Sequence, residues 1–247
     1  MKISERLNRF YGVAKQRIVP ELRYSQDVYQ ELLESEVTNE STWLDVGCGH
    51  QLLPSWKEDD EKCLVSRAAR VAGIDYDHPS LIKHTTLRTR VRGTADALPF
   101  GDGSFNLVTA NMVVEHLDNP GVQFAEIYRV LESGGIFVFH TVNKSGYFAR
   151  MRRMVPGVLV KPAAFLLDGR DETDVFEVQY KANSEIEIEK IAAVTRFDVE
   201  SVRLISSDAV FALVPPIAVV ELLWIKLLMS PCLRRLRTNL LVVLRKR

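Results

Sequence analysis

The chain is 247 residues long, 47% apolar and 26% charged, which describes a soluble globular protein with a core large enough for one large α/β domain or two small ones. Its 32 Lys and Arg equal its 32 Asp and Glu, which excludes any partner argued from net charge alone. Cys48, Cys63 and Cys232 have neither an even count nor metal-ligand spacing and read as reduced thiols in a cytoplasmic protein. Residues 1–40 are predicted mostly helical, with Val28, Tyr29, Leu32 and Leu33 at helical spacing. From Trp43 short apolar runs alternate with amphipathic stretches. TWLDV reads as a buried strand, DDEKCLVSRAAR as a helix, ARVAGID as a second strand, and SFNLVTA as a third after the turn signal FGDGS. AEIYRVLESGG reads as a helix closed by its glycines, leading into the strand IFVFHTV. Such alternation over residues 41–142 calls for a parallel sheet with helices on both faces.

Beyond Asn143 the alternation stops. Residues 143–183 form an insertion of mixed character, with Pro156 and Pro162, read as short helices over the sheet edge. A helix restarts with the capping-box pair Ser184 and Glu187, and DVESVRLIS and NLLVVLRKR read as the last strands. Between them lies an apolar insertion, 209–237. Val210 to Met229 is interrupted by Pro215, Pro216, Glu221 and Lys226 and makes a poor membrane span. The N-terminal MKISERLNRFYG lacks the apolar core of a secretory signal.

Ligands of open parallel sheets bind beyond the carboxyl ends of the strands, and Gly47 and Gly49 in WLDVGCGHQLLP fall there. A dinucleotide turn carries G-x-G-x-x-G and aims a helix N-terminus at the pyrophosphate. Here Leu52 takes the third glycine's place, Pro54 delays the helix, and Glu58, Asp59 and Asp60 repel phosphate. A cofactor with a positive centre and no phosphate fits better. S-adenosyl-L-methionine is one: its sulfonium and ammonium want carboxylates and carbonyls, its ribose diol wants a carboxylate such as Asp75 in GIDYD, and its adenine wants an acceptor such as Asp96 in TADALPF.

LDVGCG, GIDYD, ADALPFGDGSFNLV, EHLDNP and IYRVLESGGIFVFH resemble, in order, the motifs of class I S-adenosylmethionine-dependent methyltransferases of the type 11/25-like kind. The resemblance covers roughly Trp43 to Val142. It implies that Asp45, Gly47, Cys48 and Gly49 form the methionine-side loop, that Asp75 takes both ribose hydroxyls with Tyr76 against the adenine, that Asp96 and Ala97 address the adenine edge, and that Asn111 sits beneath the sulfonium at the end of the fourth strand. His50 and Gln51 replace small residues of the family, so His50 is expected to touch cofactor or substrate. In the similar ubiquinone-pathway O-methyltransferases a Glu-His pair like Glu115-His116 joins a metal site with a Glu three residues earlier. Met112 stands at that position, so no metal is expected.

Bland readings stand beside these. Asp45 is also a turn-capping carboxylate, Asp77 a helix cap, and His78 and His84 surface residues. His116 reads as an anchor of its loop or as a general base. His140, ending the fifth strand, reads as a base for a hydroxyl acceptor or as a hydrogen bond within the sheet end. Tyr11, Gln26 and Tyr29 close over a cofactor or pack the core. The 209–237 insertion suits a lid over an apolar substrate, a homodimer contact, or a peripheral membrane helix with a basic flank. Nucleic acid is not expected, since basic patches interleaved with aromatics are absent.

The fold expected is a single domain, 1–247: a Rossmann-like seven-stranded, mostly parallel sheet with an antiparallel last strand and helices on both faces. The activity implied is in-line methyl transfer to a small or lipid-like acceptor, achieved mainly by alignment of groups held about 3 Å apart. The alternatives are an NAD-dependent oxidoreductase on a related fold and a non-catalytic S-adenosylmethionine-binding module. The location expected is cytoplasmic, with membrane association through 209–237 as a further reading.

Overall fold

Residues 3–154 and 178–247 are described by a computed structural model; the short helices expected around Pro156 and Pro162 lie outside them. Seven strands form one sheet: β1 (Thr42–Val46), β2 (Arg70–Asp75), β3 (Thr89–Arg92), β4 (Phe105–Asn111), β5 (Leu131–Val142), β6 (Phe197–Ile205) and β7 (Asn239–Lys246). Their order is β3-β2-β1-β4-β5-β7-β6. Strands β1 to β5 pair in parallel. β7 enters between β5 and β6 against the common direction. Near its start Thr238 accepts from the Asn143 amide and its hydroxyl accepts from the Ser207 amide. At its far end Lys246 reaches the Leu131 carbonyl and Arg247 pairs with Asp198. The mostly parallel sheet with an antiparallel last strand is therefore present.

Two elements differ from expectation. SFNLVTA lies in the fourth strand, not the third, because TRVR adds the edge strand β3 beside β2. Four mostly polar residues at an edge carry no apolar period to read. The helix before β5 ends at Val130 rather than at its glycines, and Leu131 to Gly135 already belong to the strand. There the pairing with β4 slips between Phe105 and Leu107. Gly134 takes φ +81°, and a Cβ on Gly135 would lie 3.0 Å from the Glu132 carbonyl oxygen and 3.1 Å from that of Asn106. Those glycines serve an irregular strand, not a helix cap.

The chain divides into two compact units: Gln26–Thr141 with Val178–Arg203 and Leu240–Arg247, and Met1–Ser25 with Val142–Glu177 and Leu204–Asn239. The first holds nearly all of the sheet with α2 (Ser25–Glu36), α3 (Glu58–Arg67), α4 (His78–Lys83), α5 (Pro120–Val130) and α7 (Glu185–Thr195). Side chains alternate across β5. Phe137 and Phe139 meet Phe124 of α5 edge-on at 5.3 and 5.7 Å, whereas His140 stacks on Tyr29 of α2 at 5.8 Å. Helices thus cover both faces. α7 starts on the expected capping box: the Ser184 hydroxyl accepts from the Glu187 amide, and the Glu187 carboxylate accepts from the Ser184 hydroxyl and the Asn183 amide.

The second unit is built on α1 (Ile3–Ile18), α6 (Tyr147–Met154) and α8 (Pro215–Leu228). Tyr11, Val19 and Leu22 form its core with Ala209, Ala218, Leu222 and Ile225. Glu221, buried in α8, accepts from the Tyr147 hydroxyl (2.7 Å) and the Val210 and Phe211 amides. Arg237 donates to the carbonyls of Leu228, Met229 and Leu204 and so closes the C-terminal end of α8. At 14 residues α8 is too short to span a bilayer, and no helix among the described residues is long and apolar enough to do so.

Close packing between β2 and its neighbours gives a stability test. A Cβ on Gly73 would lie 2.5 Å from Leu87 Cδ1 and 2.6 Å from Cys48 Sγ, while one on Gly12, inside α1, meets nothing within 4 Å. Gly73→Ala is expected to lower unfolding free energy by about 1–3 kcal/mol through overpacking. Gly12→Ala is expected to raise it by about 0.5–1 kcal/mol. Urea titration of both variants checks the opposite signs.

Candidate functional site

The chain leaves β1 through a turn held by backbone bonds to β2. The amides of Gly47 and Cys48 both donate to the Ile74 carbonyl, at 2.8 and 3.2 Å. Gly47 takes φ +74° and Gly49 φ +53°, and a Cβ on Gly47 would lie 2.4 Å from Val113 Cγ2. Both positions need glycine, the first also for room. Cys48 is buried, and burial raises its thiol pKa; it packs rather than reacts. Asp75, the last residue of β2, closes the turn. Its Oδ2 accepts from the Gly49 amide and its Oδ1 from the Asp77 amide, both at 2.8 Å. Asp77 in turn caps α4 through the Ser80 amide, as expected.

Further along, the amides of Leu52 and Leu53 converge on one carboxylate oxygen, Glu61 Oε2, at 2.8 and 2.9 Å. Glu61 is buried. Two adjacent amides aimed at one point are what a phosphate uses at such a turn. Here the chain's own carboxylate fills that place, which sequence reading missed. Nothing in the spacing of Glu61 distinguishes it from its neighbours Asp59 and Asp60, which are exposed.

Asp96 and Ala97 are exposed in the loop after β3. That loop begins at Gly93, whose amide donates to the Asp75 carbonyl at 3.0 Å, so the loop carrying Asp96 starts against the end of β2. The loop is anchored by α5: Glu126 accepts from the Leu98 amide, and Arg129 donates to the Leu98 and Phe100 carbonyls. Tyr76 is exposed beside Asp75, and His50 is exposed beyond Gly49.

Beneath the turn a line of polar groups runs along the sheet face covered by α2. Asp45 pairs with Thr109, and Asn111 with His140, across neighbouring strands. Trp43 Nε1 donates to the Thr109 hydroxyl at 2.6 Å, and that hydroxyl bonds Asp45. Burial pushes the Asp45 carboxyl up to about 8; the Thr109 bond opposes this and the charges of Glu61 and Asp75 add to it. Asn111 donates to Gln26 Oε1 (2.9 Å) and to the Leu52 carbonyl (3.3 Å). Its Oδ1 therefore faces His140 Nδ1 at 3.0 Å, and the imidazole must carry its proton on Nδ1. Burial lowers the His140 pKa to about 4, so the ring is neutral. Immediately after Asn111, Met112 is held at φ +57°, an unfavourable conformation for this side chain and common beside functional sites.

Asp45, Gly47, Cys48, Gly49, Asp75, Asn111 and His140 are thus joined by the turn and this polar line, with Asp96 and Ala97 on the adjoining loop. Glu115 is buried and accepts from Thr141 Oγ1, while His116 is half-buried on the following turn of 3-10 helix. No cluster of three metal-ligating side chains occurs among the described residues. His84 corrects the sequence reading: it is buried rather than superficial, because its Nδ1 accepts from the Leu87 amide and closes the turn between α4 and β3, and burial lowers its pKa. Tyr29 is buried against His140 and Tyr11 lies in the second unit's core, so both pack; Gln26 reaches Asn111.

Residues 44–139 match the family described as "Methyltransferase domain". Among curated proteins, the chain is 30% identical over 103 residues to a malonyl-[acyl-carrier protein] O-methyltransferase of Erwinia billingiae, covering 40% of this chain and 38% of that one. It is 31% identical over 129 residues to a mitochondrial ubiquinone biosynthesis O-methyltransferase of Candida albicans, covering 48% and 38%. The matches therefore span under two fifths of those relatives. Among solved structures, an S-adenosylmethionine dependent methyltransferase from Mesorhizobium loti superposes with a TM-score of 0.56 at 19% identity, over 87% of this chain and 96% of that one.

The raised Asp45 pKa makes stability depend on pH. Unfolded, the carboxyl loses its proton near 3.8; folded, it holds it to about 8. Between those values folding takes up a proton, so this group lowers stability as pH rises through that window and adds no further slope above it. Asp45→Asn removes the ionisation while keeping an acceptor for Thr109. Its melting temperature is expected to match the wild type near pH 4 and to exceed it increasingly towards pH 8, as thermal unfolding across pH would record.

Proposed function

We propose, for a chain that belongs through residues 44–139 to the class I S-adenosylmethionine-dependent methyltransferases, methyl transfer from S-adenosylmethionine to a small or lipid-like acceptor. The observation that carries this reading is the chemistry of the turn: carboxyl groups stand at the ends of β1 and β2, no Lys or Arg occurs from Asp45 to Pro54, and the convergent amides of the turn are taken by the chain itself, those of Gly47 and Cys48 by the Ile74 carbonyl and those of Leu52 and Leu53 by Glu61. Such a donor set fits a cation and refuses a phosphate, which favours S-adenosylmethionine over a dinucleotide. The glycine turn fits it too, since a Cβ on Gly49 would meet nothing within 4 Å, which leaves the backbone there open to a ligand lying against the main chain.

In this reading Asp75 receives the ribose hydroxyls while the Gly49 and Asp77 amides hold its carboxylate in place. Asp96 and the Ala97 backbone address the adenine, with Tyr76 on its face. Gly47, Cys48, Gly49 and His50 border the methionine portion, and Asp45, protonated while nothing cationic is beside it, would ionise against its ammonium. Asn111 presents its amide at the end of β4, locked by Gln26 and His140. When bound, the cofactor supplies an electrophilic methyl group, and charge is neutralised as it moves, so fixed dipoles suffice. His140, fully buried and neutral, keeps Asn111 oriented. A hydroxyl acceptor would give up its proton to His116, the less buried imidazole.

The acceptor class rests on apolar content in this chain and on the relatives' names, which speak of malonyl-[acyl-carrier protein] and of ubiquinone biosynthesis.

Two measurements test the reading. Asp75→Asn, which leaves one oxygen to accept from the turn, is expected to weaken S-adenosylhomocysteine binding by about 1–3 kcal/mol, roughly ten- to a hundredfold, in calorimetric titration. Unchanged affinity in the folded variant removes Asp75 from the site. In thermal-shift assays S-adenosylhomocysteine is expected to raise the melting temperature and NADH to leave it unmoved. The reverse result would replace the methyltransferase with the oxidoreductase reading.

A further inference from the structure

Helix α8 is apolar on two sides. At 100° per residue, Ala218, Leu222, Ile225 and Leu228 share one arc and are buried, the first three in the core that includes Tyr11 of α1. Ile217, Val220, Leu223, Trp224 and Leu227 share the other, and they stand in solvent, with Val220 67% and Leu227 56% exposed. An all-round apolar helix at a protein surface calls for something to cover it. α1 exposes Phe10 and Val13 in the same unit.

Charge says what the cover is. Over its described residues this unit carries thirteen Lys and Arg against four Asp and Glu, although the whole chain is neutral. Two of those four acids are already engaged: Glu221 is buried on amides, and Asp208 pairs with Lys15. Lys226 sits at the edge of the exposed arc, and Arg234 and Arg235 are exposed in the 3-10 segment that follows α8. Arg237 belongs to the fold instead, because it closes α8. A second copy of the chain meeting this face about a two-fold axis would bring like charges together. A solvated helix would not present five large apolar side chains on one arc.

We infer that α8 docks on an anionic lipid surface, its Ile217–Leu227 arc at the acyl boundary and Lys226, Arg234 and Arg235 among the headgroups. Docking needs no cofactor and so does not rest on the proposed reaction.

The test is co-sedimentation of the full chain with vesicles of phosphatidylcholine, with and without phosphatidylglycerol. Binding is expected only with the anionic lipid and is expected to fall as salt rises. Lys226→Gln with Arg235→Gln should weaken it roughly thirtyfold, and Val220→Ser with Leu227→Ser should weaken it at unchanged melting temperature, since both side chains are exposed. Brominated lipid should quench Trp224 fluorescence in the wild type, and Trp224→Phe should abolish that part of the signal. Equal binding to neutral vesicles, or none to anionic ones at low salt, overturns the proposal. So does a wild-type dimer in light scattering that Val220→Ser with Leu227→Ser turns into monomer, which would give the face to a second copy. Calorimetry with S-adenosylhomocysteine reads the cofactor site separately, so the two readings fail apart.

Discussion

The carboxylate of Asp75 accepts one amide from each of two turns, Gly49 after β1 and Asp77 after β2. Two hydrogen bonds to one charged group, each contributing on the order of 1–3 kcal/mol, fasten the ends of neighbouring strands to a single side chain. The Asp75 carbonyl then accepts the Gly93 amide, so the loop carrying Asp96 starts from the same residue. Three loops that have no sequence proximity take their positions from one aspartate. The carboxylate is already oriented before any ligand arrives, and that is the preorganisation a binding site needs if affinity is not to be lost in ordering the protein.

Glu61 does for the first turn what a bound anion does in a dinucleotide fold. A glycine turn at a sheet's carboxyl edge creates amides without intrachain partners, and these must be satisfied. Phosphate-binding folds leave them for the ligand. In this chain a carboxylate from the first turn of α3 takes two of them, so they are not left for a ligand anion. The absent third glycine and the buried glutamate are two aspects of one choice of cofactor charge. Asp45 fits the same choice: a carboxyl in a dry sheet face costs stability whenever it ionises, and a cation beside it would offset that cost.

Most of the sheet was legible because buried parallel strands are short apolar runs with turn signals between them, as in TWLDV and SFNLVTA. β3 was not, because edge strands take their partner's pattern and need none of their own. The Ser184 cap was readable from two residues at fixed spacing, whereas LESGG was misread because glycines end helices and also relieve strand irregularities, and only the pairing partner Asn106 distinguishes the two. In the site, Gly47, Gly49 and Asp75 announced themselves by position after a strand. Glu61 and Met112 did not, and Gln26 stood out without its partner. Glu61 lies 8 and 9 residues from its partners, Gln26 lies 85 from Asn111, and the positive φ of Met112 leaves no mark in composition. His84 was misplaced for a related reason, since a histidine beside exposed Thr and Lys carries no sign that a turn closes over it.

The neutral whole-chain charge concealed a division. Acids collect in the unit that carries the glycine turn, and Lys and Arg prevail among the described residues of the unit built on α1, α6 and α8. Such a split has a physical use when one protein must favour a cation in one place and an anion in another, because fields of opposite sign in a single unit would cancel over a Debye length of about 8–10 Å. Placing Glu221 inside α8, where amides and the Tyr147 hydroxyl bind it, removes the one acid that would have interrupted the helix's outer surface. The same residue that disqualifies Val210 to Met229 as a membrane span in sequence is thus turned inward in the fold, leaving an outer arc with no acid on it.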